Sequence, residues 1–529
     1  MQYAYLFETR GIQRFLFASG KLRDMLGGSE LLDYLCADDG LLDRTLEKLD
    51  LEPAIPRKAG AAFYLLFSHR GDAARLRAAW RLACARWLPG VEQVDALSEG
   101  PTAREAVKAG LEQLRQARNQ LRADLPRPGP FVERSPRTGL AAVKREKDES
   151  MDAATLRQRR FERPKGGQTL AQRFLNEDGY IWPVDFEENS PEDKRFPLGE
   201  RRHVGLLHAD GNGLGELLRL LNAACEKADD ATYVRLYRTF SDGLSQATLE
   251  ASRQASREVL LPNACGQVLP ARPLVLGGDD LTILVRADLA LPFAKAFLIA
   301  FEQHSRTSMQ LLHRAFEDAG LQAQARQLPA YLTACAGLCY MKSSQPFQAG
   351  HELAESLCKR AKGASRKVRQ ENAPMPATLA MHKVQDSLLE DAETQFQQNH
   401  CVEHDGKTWS MALPAYSLKP GHDLPALDDL EQLLQVFGGT LNYRPLRELA
   451  TLWHDNLSLA RQAYQRWREL AVRNQPNELA RFDGYLKALI GPVMSDLPCS
   501  REERPQTPLS DLLSLLTLQG QASLQQESH

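Results

Sequence analysis

An α+β architecture is predicted for this chain of 529 residues, on three observations. Apolar runs of strand length alternate with helical periodicity over 1–125 and again over 201–395. A proline-rich interval, 126–200, separates the two stretches. From 396 to 529 the pattern is mainly helical. The expected domains follow these limits: a first α+β unit, a connector, a second unit with the element order of a ferredoxin-like palm, and a helical C-terminal domain.

Residues 2–8 alternate and are rich in aromatics, which suits a strand. A helix begins near Ile12 and resumes over 21–39. Ala61–Phe67 is a second strand, 72–87 a helix, Val91–Leu97 a weaker strand and 102–123 a long charged helix. In the connector, prolines at 126, 128, 130, 136, 164, 183, 191 and 197 break any long periodicity and leave room for one helix near 152–163. The second unit opens with the strand Val204–His208 and helices over 214–224 and 231–256. Arg272–Leu276 and Leu281–Val285 then flank Gly277, Gly278, Asp279 and Asp280, a hairpin signal. A helix over 288–318, a strand over 331–340 and a helix over 347–369 complete the order β-α-β-β-α-β-α, that of a ferredoxin-like palm. A short hairpin around Trp409 precedes helices at 424–437, 445–456, 459–474, 478–490 and 508–518, and the last ten residues are expected as a frayed tail.

Lys and Arg number 66 against 68 Asp and Glu, a net charge of −2. This excludes a bulk polyanion binder and confines any nucleic-acid contact to local patches. Two basic stretches stand out. That between Arg134 and Lys165, densest at Arg157–Arg160, is expected as a solvated helix face; that over Lys359–Arg369 is divided between helix capping and phosphate binding. The 9 cysteines are scattered and never spaced CxxC, so neither a disulfide framework nor a zinc ribbon is indicated, and Cys335 and Cys339 are expected as strand core. With no signal pattern and no apolar run near the roughly 20 residues of a membrane span, a cytoplasmic, reduced protein is expected.

Three carboxylates stand out by position. Asp210 ends an apolar strand and leads into a glycine-rich turn, while Asp279 and Asp280 occupy the tip of a hairpin opened by two glycines. The strands would bring these acids together at one sheet edge. Crowded carboxylates repel one another and lose solvation, so a fold that tolerates them usually supplies a cation. Hard oxygen ligands suit Mg²⁺ or Mn²⁺, two of which can activate a hydroxyl and stabilise a leaving pyrophosphate. Gly277 and Gly278 remove side chains where a triphosphate or ribose would approach the backbone.

Gly277–Asp280 on a hairpin, with Asp210 ending the preceding strand, resembles the palm of GGDEF-type nucleotidyl cyclases. It resembles more closely the second palm of the large subunit of type III CRISPR effectors, the CRISPR polymerase family. Ala336–Pro346 with Ala361 and Lys362 is similar to that family's strand, loop, proline and helix ending in Ala-Lys, and Phe240-Ser241 resembles its serine-bearing helix. Tyr5–Phe15 and Ser19–Ser29 look like the opening of its first palm, where the resemblance makes Gly27, Gly28 and Ser29 a turn walling a nucleotide pocket between the palms. Ala59–Phe67 would be the counterpart of the catalytic hairpin, without its Asp pair.

The departures are informative. Phe131–Gly139 looks like the segment that opens the family's zinc-binding insertion, yet Val132 and Ser135 stand where cysteines would, and no cysteine lies around Met151 and Ala154. A zinc-less remnant is therefore expected, as is absence of the HD nuclease domain that precedes the first palm in many members. Asn212 replaces a second Asp, and against a diguanylate cyclase the turn is GGDD and Arg272 opens no RxxD.

The resemblance implies a nucleotidyltransferase that converts nucleoside triphosphates, ATP above the others, into a cyclic or short linear oligonucleotide messenger of antiphage defence. Asp210, Asp279 and Asp280 would hold two Mg²⁺ or Mn²⁺ ions, Asp279, Asp280 and Lys362 would be catalytic, and Gly277, Gly278, Gly211, Asn212, Ser29 and Ser241 would bind the nucleotide. A monomer or homodimer is expected, with CRISPR-type or other defence subunits or an RNA activator as partners and no membrane contact. The rival reading is a large subunit of an RNA-guided complex whose pocket is regulatory or vestigial. A homodimeric diguanylate cyclase is a third.

Overall fold

The structure is a computed structural model, and it describes residues 1–120, 129–146, 148–164, 168–175, 177–186, 191, 194–199, 201–370, 373–385, 391–404, 406–421, 423–438 and 441–519. The expected tail and the prolines at 126 and 128 lie outside the described residues.

The first unit is built on β1 (Gln2–Arg10), β2 (Ala54–Ala59), β3 (Ala62–Phe67) and β4 (Glu92–Gly100), in the sheet order β2-β3-β1-β4 with every neighbouring pair antiparallel. Its helices are α1 (Ile12–Phe17), α2 (Leu22–Cys36), α3 (Leu41–Leu49), α4 (Arg70–Trp87) and α5 (Ala103–Arg118). Strand β1 is apolar at every position from Ala4 to Phe7 because both faces are covered. Tyr5 and Phe7 pack with Phe63, and Phe7 and Phe63 with Trp80 of α4, while Ala4 and Leu6 share a core with Ala106 and Val107 of α5. The sequence pattern anticipated neither α3 nor β2. Strand β2, with Pro56, Arg57 and Lys58, is an edge strand, and edges take proline and charge where central strands do not. With β2 in place, the first unit has the order β-α-β-β-α-β-α, not β-α-β-α-β-α.

The connector holds more structure than its prolines suggest: β5 (Ala142–Glu146), β6 (Glu149–Asp152), α6 (Ala153–Arg159) and α7 (Leu170–Phe174). Its basic run is tied down. Arg159 pairs with Asp24 and Glu149, Arg160 with Glu146, and Arg157 lies over the Trp87 ring. Gly27, Gly28 and Ser29 lie inside α2 and form no turn. The glycines let α6 approach: a Cβ on Gly27 would stand 1.7 Å from the Gln158 carbonyl oxygen. Val132 is exposed, whereas Ser135 is buried, and Thr138 and Thr155 donate to the Asp152 carboxylate at 2.8 and 2.7 Å.

The second unit carries β7 (His203–Gly211), β8 (Ala271–Gly277), β9 (Asp280–Arg286), β10 (Ala334–Lys342) and β11 (Thr378–Lys383). Its helices are α8 (Leu214–Ala224), α9 (Asp230–Ala255), α10 (Ala287–Asp318), α11 (Gln322–Ala325) and α12 (Phe347–Lys367). Farther along come α13 (Ala392–His400), the hairpin β12 (Cys401–His404) and β13 (Lys407–Ser410), and the two-residue β14 (Tyr416–Ser417). The last segment is helical: α14 (Leu427–Gly438), α15 (Arg444–Asp455), α16 (Leu457–Asn474), α17 (Pro476–Ile490) and α18 (Leu509–Gln519). The six-stranded sheet runs β14-β11-β10-β7-β9-β8. Its β8-β9-β7-β10 portion repeats the order of the first sheet, a hairpin followed by the first strand and the last. Strand β11 adds on in parallel, and β14 comes from beyond residue 395. Cys335 and Cys339 are buried in β10, as strand periodicity predicts. Among the described residues no helix is long and apolar enough to cross a membrane.

Candidate active site

Strand β7 delivers Asp210 one residue before its end, and the β8–β9 hairpin delivers Asp279 and Asp280 across from it. One carboxylate oxygen from each of the three lies within 4.8 Å of the others. Glycine makes this approach possible, because a Cβ on Gly211 would stand 3.0 Å from the Asp279 Cβ. Lys362 reaches the cluster from α12, paired with the Asp210 carboxylate and donating to the Gly211 carbonyl at 2.8 Å. Helix α12 can lie this close because β10 offers Gly337 beneath it: a Cβ there would come within 1.9 Å of the Ala354 carbonyl oxygen.

The electrostatics are unbalanced. Burial pushes Asp279 up to about 8, helped by its hydrogen bond to Asp210 and the charges of Asp280 and Asp210. Burial and the Asp210 charge push Asp280 up to about 7. Burial also acts upward on Asp210, but the hydrogen bonds from Asp279 and Lys362 outweigh it and hold that carboxyl below its usual range. One ammonium thus faces three carboxylates. A hard divalent cation fits this donor set, since it supplies the missing positive charge to oxygen ligands only.

Beside the cluster opens a cavity of about 420 Å³ between the two sheets. Gly277, Gly278 and Asp280 line it, as do Lys58, Ala59, Gly60 and Ala61 around the β2–β3 turn. The two turns touch: a Cβ on Gly277 would stand 3.2 Å from the Gly60 Cα. Apolar walls come from α1 and α2 through Ile12, Leu16 and Leu32. Polar groups come from Asp33, Arg173, Ser245 and Gln246.

Of the residues expected at a nucleotide site, Gly277, Gly278, Asp280 and Ser29 line this cavity, and Asp210, Asp279, Gly211 and Lys362 adjoin it through the carboxylate cluster. The Ser29 hydroxyl is already engaged, donating to the Leu274 carbonyl of β8. Asn212 is buried and anchors the end of β7, its backbone N–H and side-chain amide donating to Thr333 at 2.8 and 3.0 Å. Ser241 is not among the lining residues. The arc of α9 that faces the cavity runs through Asp242, Ser245, Gln246 and Leu249, and a helical residue is displaced about 100° from its neighbour. Ser245 and Gln246 left no signal in the sequence because a Ser-Gln pair in a helix carries no distinguishing pattern. Lys359 and Arg360 of the basic stretch pair with Glu355 and Glu393, and Arg369 with Glu216 beside the start of α8, so much of that charge is neutralised by carboxylates.

No family model and no curated protein matches the chain. Among solved structures, the Csm1–Csm4 cassette in complex with cA4 matches at a TM-score of 0.50 and 13% identity, over 98% of this chain and 70% of that one. The fold is that of Csm1. Csm1 from T. onnurineus, at 15% identity and a TM-score of 0.45, covers 98% of this chain and 69% of its own length. The Csm1 fold meets the resemblance to the type III CRISPR large subunit seen in the sequence. It also accommodates a mixed α/β chain with separate sheets and a helical end.

Proposed function

We propose that this chain is a metal-dependent nucleotidyltransferase that joins nucleoside triphosphates, ATP above the others, into a cyclic or short linear oligonucleotide in antiphage defence. The observation that carries the reading is the meeting of three carboxylates and Lys362 with a two-glycine turn that lines a cavity of about 420 Å³. In this reading the chain is two ferredoxin-like palms, 1–125 degenerate and 201–395 catalytic, with a zinc-less connector over 126–200 and a helical domain over 396–529. The matched Csm1–Csm4 cassette holds cA4, a cyclic oligoadenylate, which agrees in product class.

Asp210, Asp279 and Asp280 would hold the Mg²⁺ or Mn²⁺ ions, two in number. Bound there, they would supply the positive charge that phosphoryl transfer requires of its site. Gly277 and Gly278 leave the backbone open to the phosphates, and Lys362 adds an ammonium to the same edge. The cavity walls would hold two nucleotides so that a 3′-hydroxyl, giving its proton to solvent water, forms its bond to an α-phosphorus as the bond to pyrophosphate breaks. Such chemistry is chiefly positioning and charge stabilisation, so no histidine base is required. Incubation of the purified chain with ATP and Mn²⁺, read by mass spectrometry, is expected to give an oligoadenylate and pyrophosphate. The D279A/D280A variant is expected to lose at least about 10²-fold of this activity. Product that persists in the double variant would overturn the assignment.

The presence of Csm4 beside Csm1 in the matched structure favours a second reading, a large subunit working among CRISPR-type partners with a regulatory pocket. Co-purification with RNA and partner subunits, without turnover of ATP, is the outcome that selects it. A clean monomer or homodimer that turns over ATP selects the first.

A further inference from the structure

The loop that carries Asp279 is a two-residue hairpin turn, Gly278 and Asp279, closed by the pair Gly277 and Asp280. Gly278 has φ +61°, while Asp279 stays out of the left-handed region, the combination of a type II′ turn. The same loop length can also close as type I′, with both central residues at positive φ. The first sheet does this, with Gly60 at φ +61° and Ala61 at φ +57°. The two types differ by rotation of the peptide plane between the central residues. The direction of the Gly278 carbonyl therefore goes with the direction in which Asp279 leaves the backbone.

That carbonyl is held from outside the hairpin. Thr248 of α9 is fully buried, and its Oγ1 donates to the Gly278 oxygen at 2.6 Å, across 30 residues of sequence. The same hydroxyl lies 3.0 Å from the Leu244 carbonyl one helical turn back, the ordinary bond of a threonine in a helix. One proton serves one acceptor at a time, and the shorter contact is the distant one. A threonine needed only by its helix would make the local bond and no other.

We propose that Thr248 is a positioning residue of the carboxylate site. Its hydroxyl locks the Gly278–Asp279 peptide in the type II′ setting, and this presents Asp279 to Asp210 and Asp280 as a cation ligand. The inference rests on the reading of the three carboxylates as a divalent-cation site and names a group on which that site depends.

The test is direct titration of Mn²⁺ into the full chain without nucleotide, with free Mn²⁺ read by electron paramagnetic resonance. T248V keeps the side chain's shape and drops the donor, and it is expected to bind Mn²⁺ about tenfold more weakly, the usual effect of losing a group that orients a metal ligand. T248S keeps the donor and drops the methyl, and it is expected to stay within about threefold of wild type. A packing role would reverse that order. Should T248V prove insoluble, T248C, with a weaker donor, enters the same titration and is expected to fall below T248S. Binding by T248V, or by T248C in its place, within threefold of wild type overturns the proposal. Wild type and D279N/D280N binding Mn²⁺ alike would overturn the cation-site reading, and the proposal with it. That result differs from a wild type that binds, a double variant that does not, and a T248V that matches wild type.

Discussion

Burial raises Asp279 to about 8 and Asp280 to about 7, whereas both carboxyls titrate near their ordinary value of 3.8 once the chain unfolds. Between those limits the folded state binds more protons than the unfolded one, so without divalent ions this pair makes stability fall as pH rises from about 4 to about 8. D280N removes one of the crowded charges. It is expected to raise the melting temperature over wild type by about 2–4 °C at pH 8.5 in chelator, and by less at pH 5, measured by scanning fluorimetry. Mn²⁺ affinity of the wild type should rise through the same interval, because the ligands must first lose their protons. The carboxylates were legible in the sequence because aspartates beside glycines at strand ends are unusual in combination. Thr248 was not, since a threonine in a helix announces nothing about a carbonyl 30 residues away.

Among the elements, the two hairpins correspond residue for residue. Ala59 pairs with Ala62 as Gly277 pairs with Asp280, so Gly60, Ala61 and Ala62 hold the places of Gly278, Asp279 and Asp280. Glu8, opposite Ala62, holds the place of Asp210, and Arg118 of α5 pairs with it as Lys362 of α12 pairs with Asp210. The first sheet thus keeps one acid and its base and has alanine where the hairpin acids would be. The missing Asp pair was plain from the sequence, but the Glu8–Arg118 counterpart needed the register. Strand β10 under α12 offers a test of how closely the lysine is placed. G337A would drive a methyl into the Ala354 carbonyl, and overpacking of this kind costs about 1–3 kcal/mol or more. It is expected to lower the melting temperature and to weaken nucleotide binding through Lys362, read by titration calorimetry; an unchanged melting temperature would show that the helix can shift freely.

At the scale of the whole molecule, the connector acts as a clip. Arg163 is half-buried and pairs with both Glu30 and Asp33 of α2, and Arg173 of α7 pairs with Asp33 from the cavity side. Removing one partner of a part-buried ionic network leaves carboxylates unpaired, so R163A is expected to cost about 1–3 kcal/mol. Faster hydrogen exchange in α2 is expected to accompany the loss, and unchanged exchange there would refute the clip. The basic character of the connector was visible in its sequence. Its partners were not, because ion pairs across more than a hundred residues leave no periodic trace.

The turn-to-turn contact of Gly60 and Gly277 bears on how this chain can drift over generations. A side chain gained at residue 277 has to be answered by a shift of the loop around residue 60, though the two lie in sheets that share no strand. In an alignment of descendants, the Ala59–Ala61 loop should therefore change length and composition in step with the residue at 277. The loop without acids would be held to its shape by the one that has them.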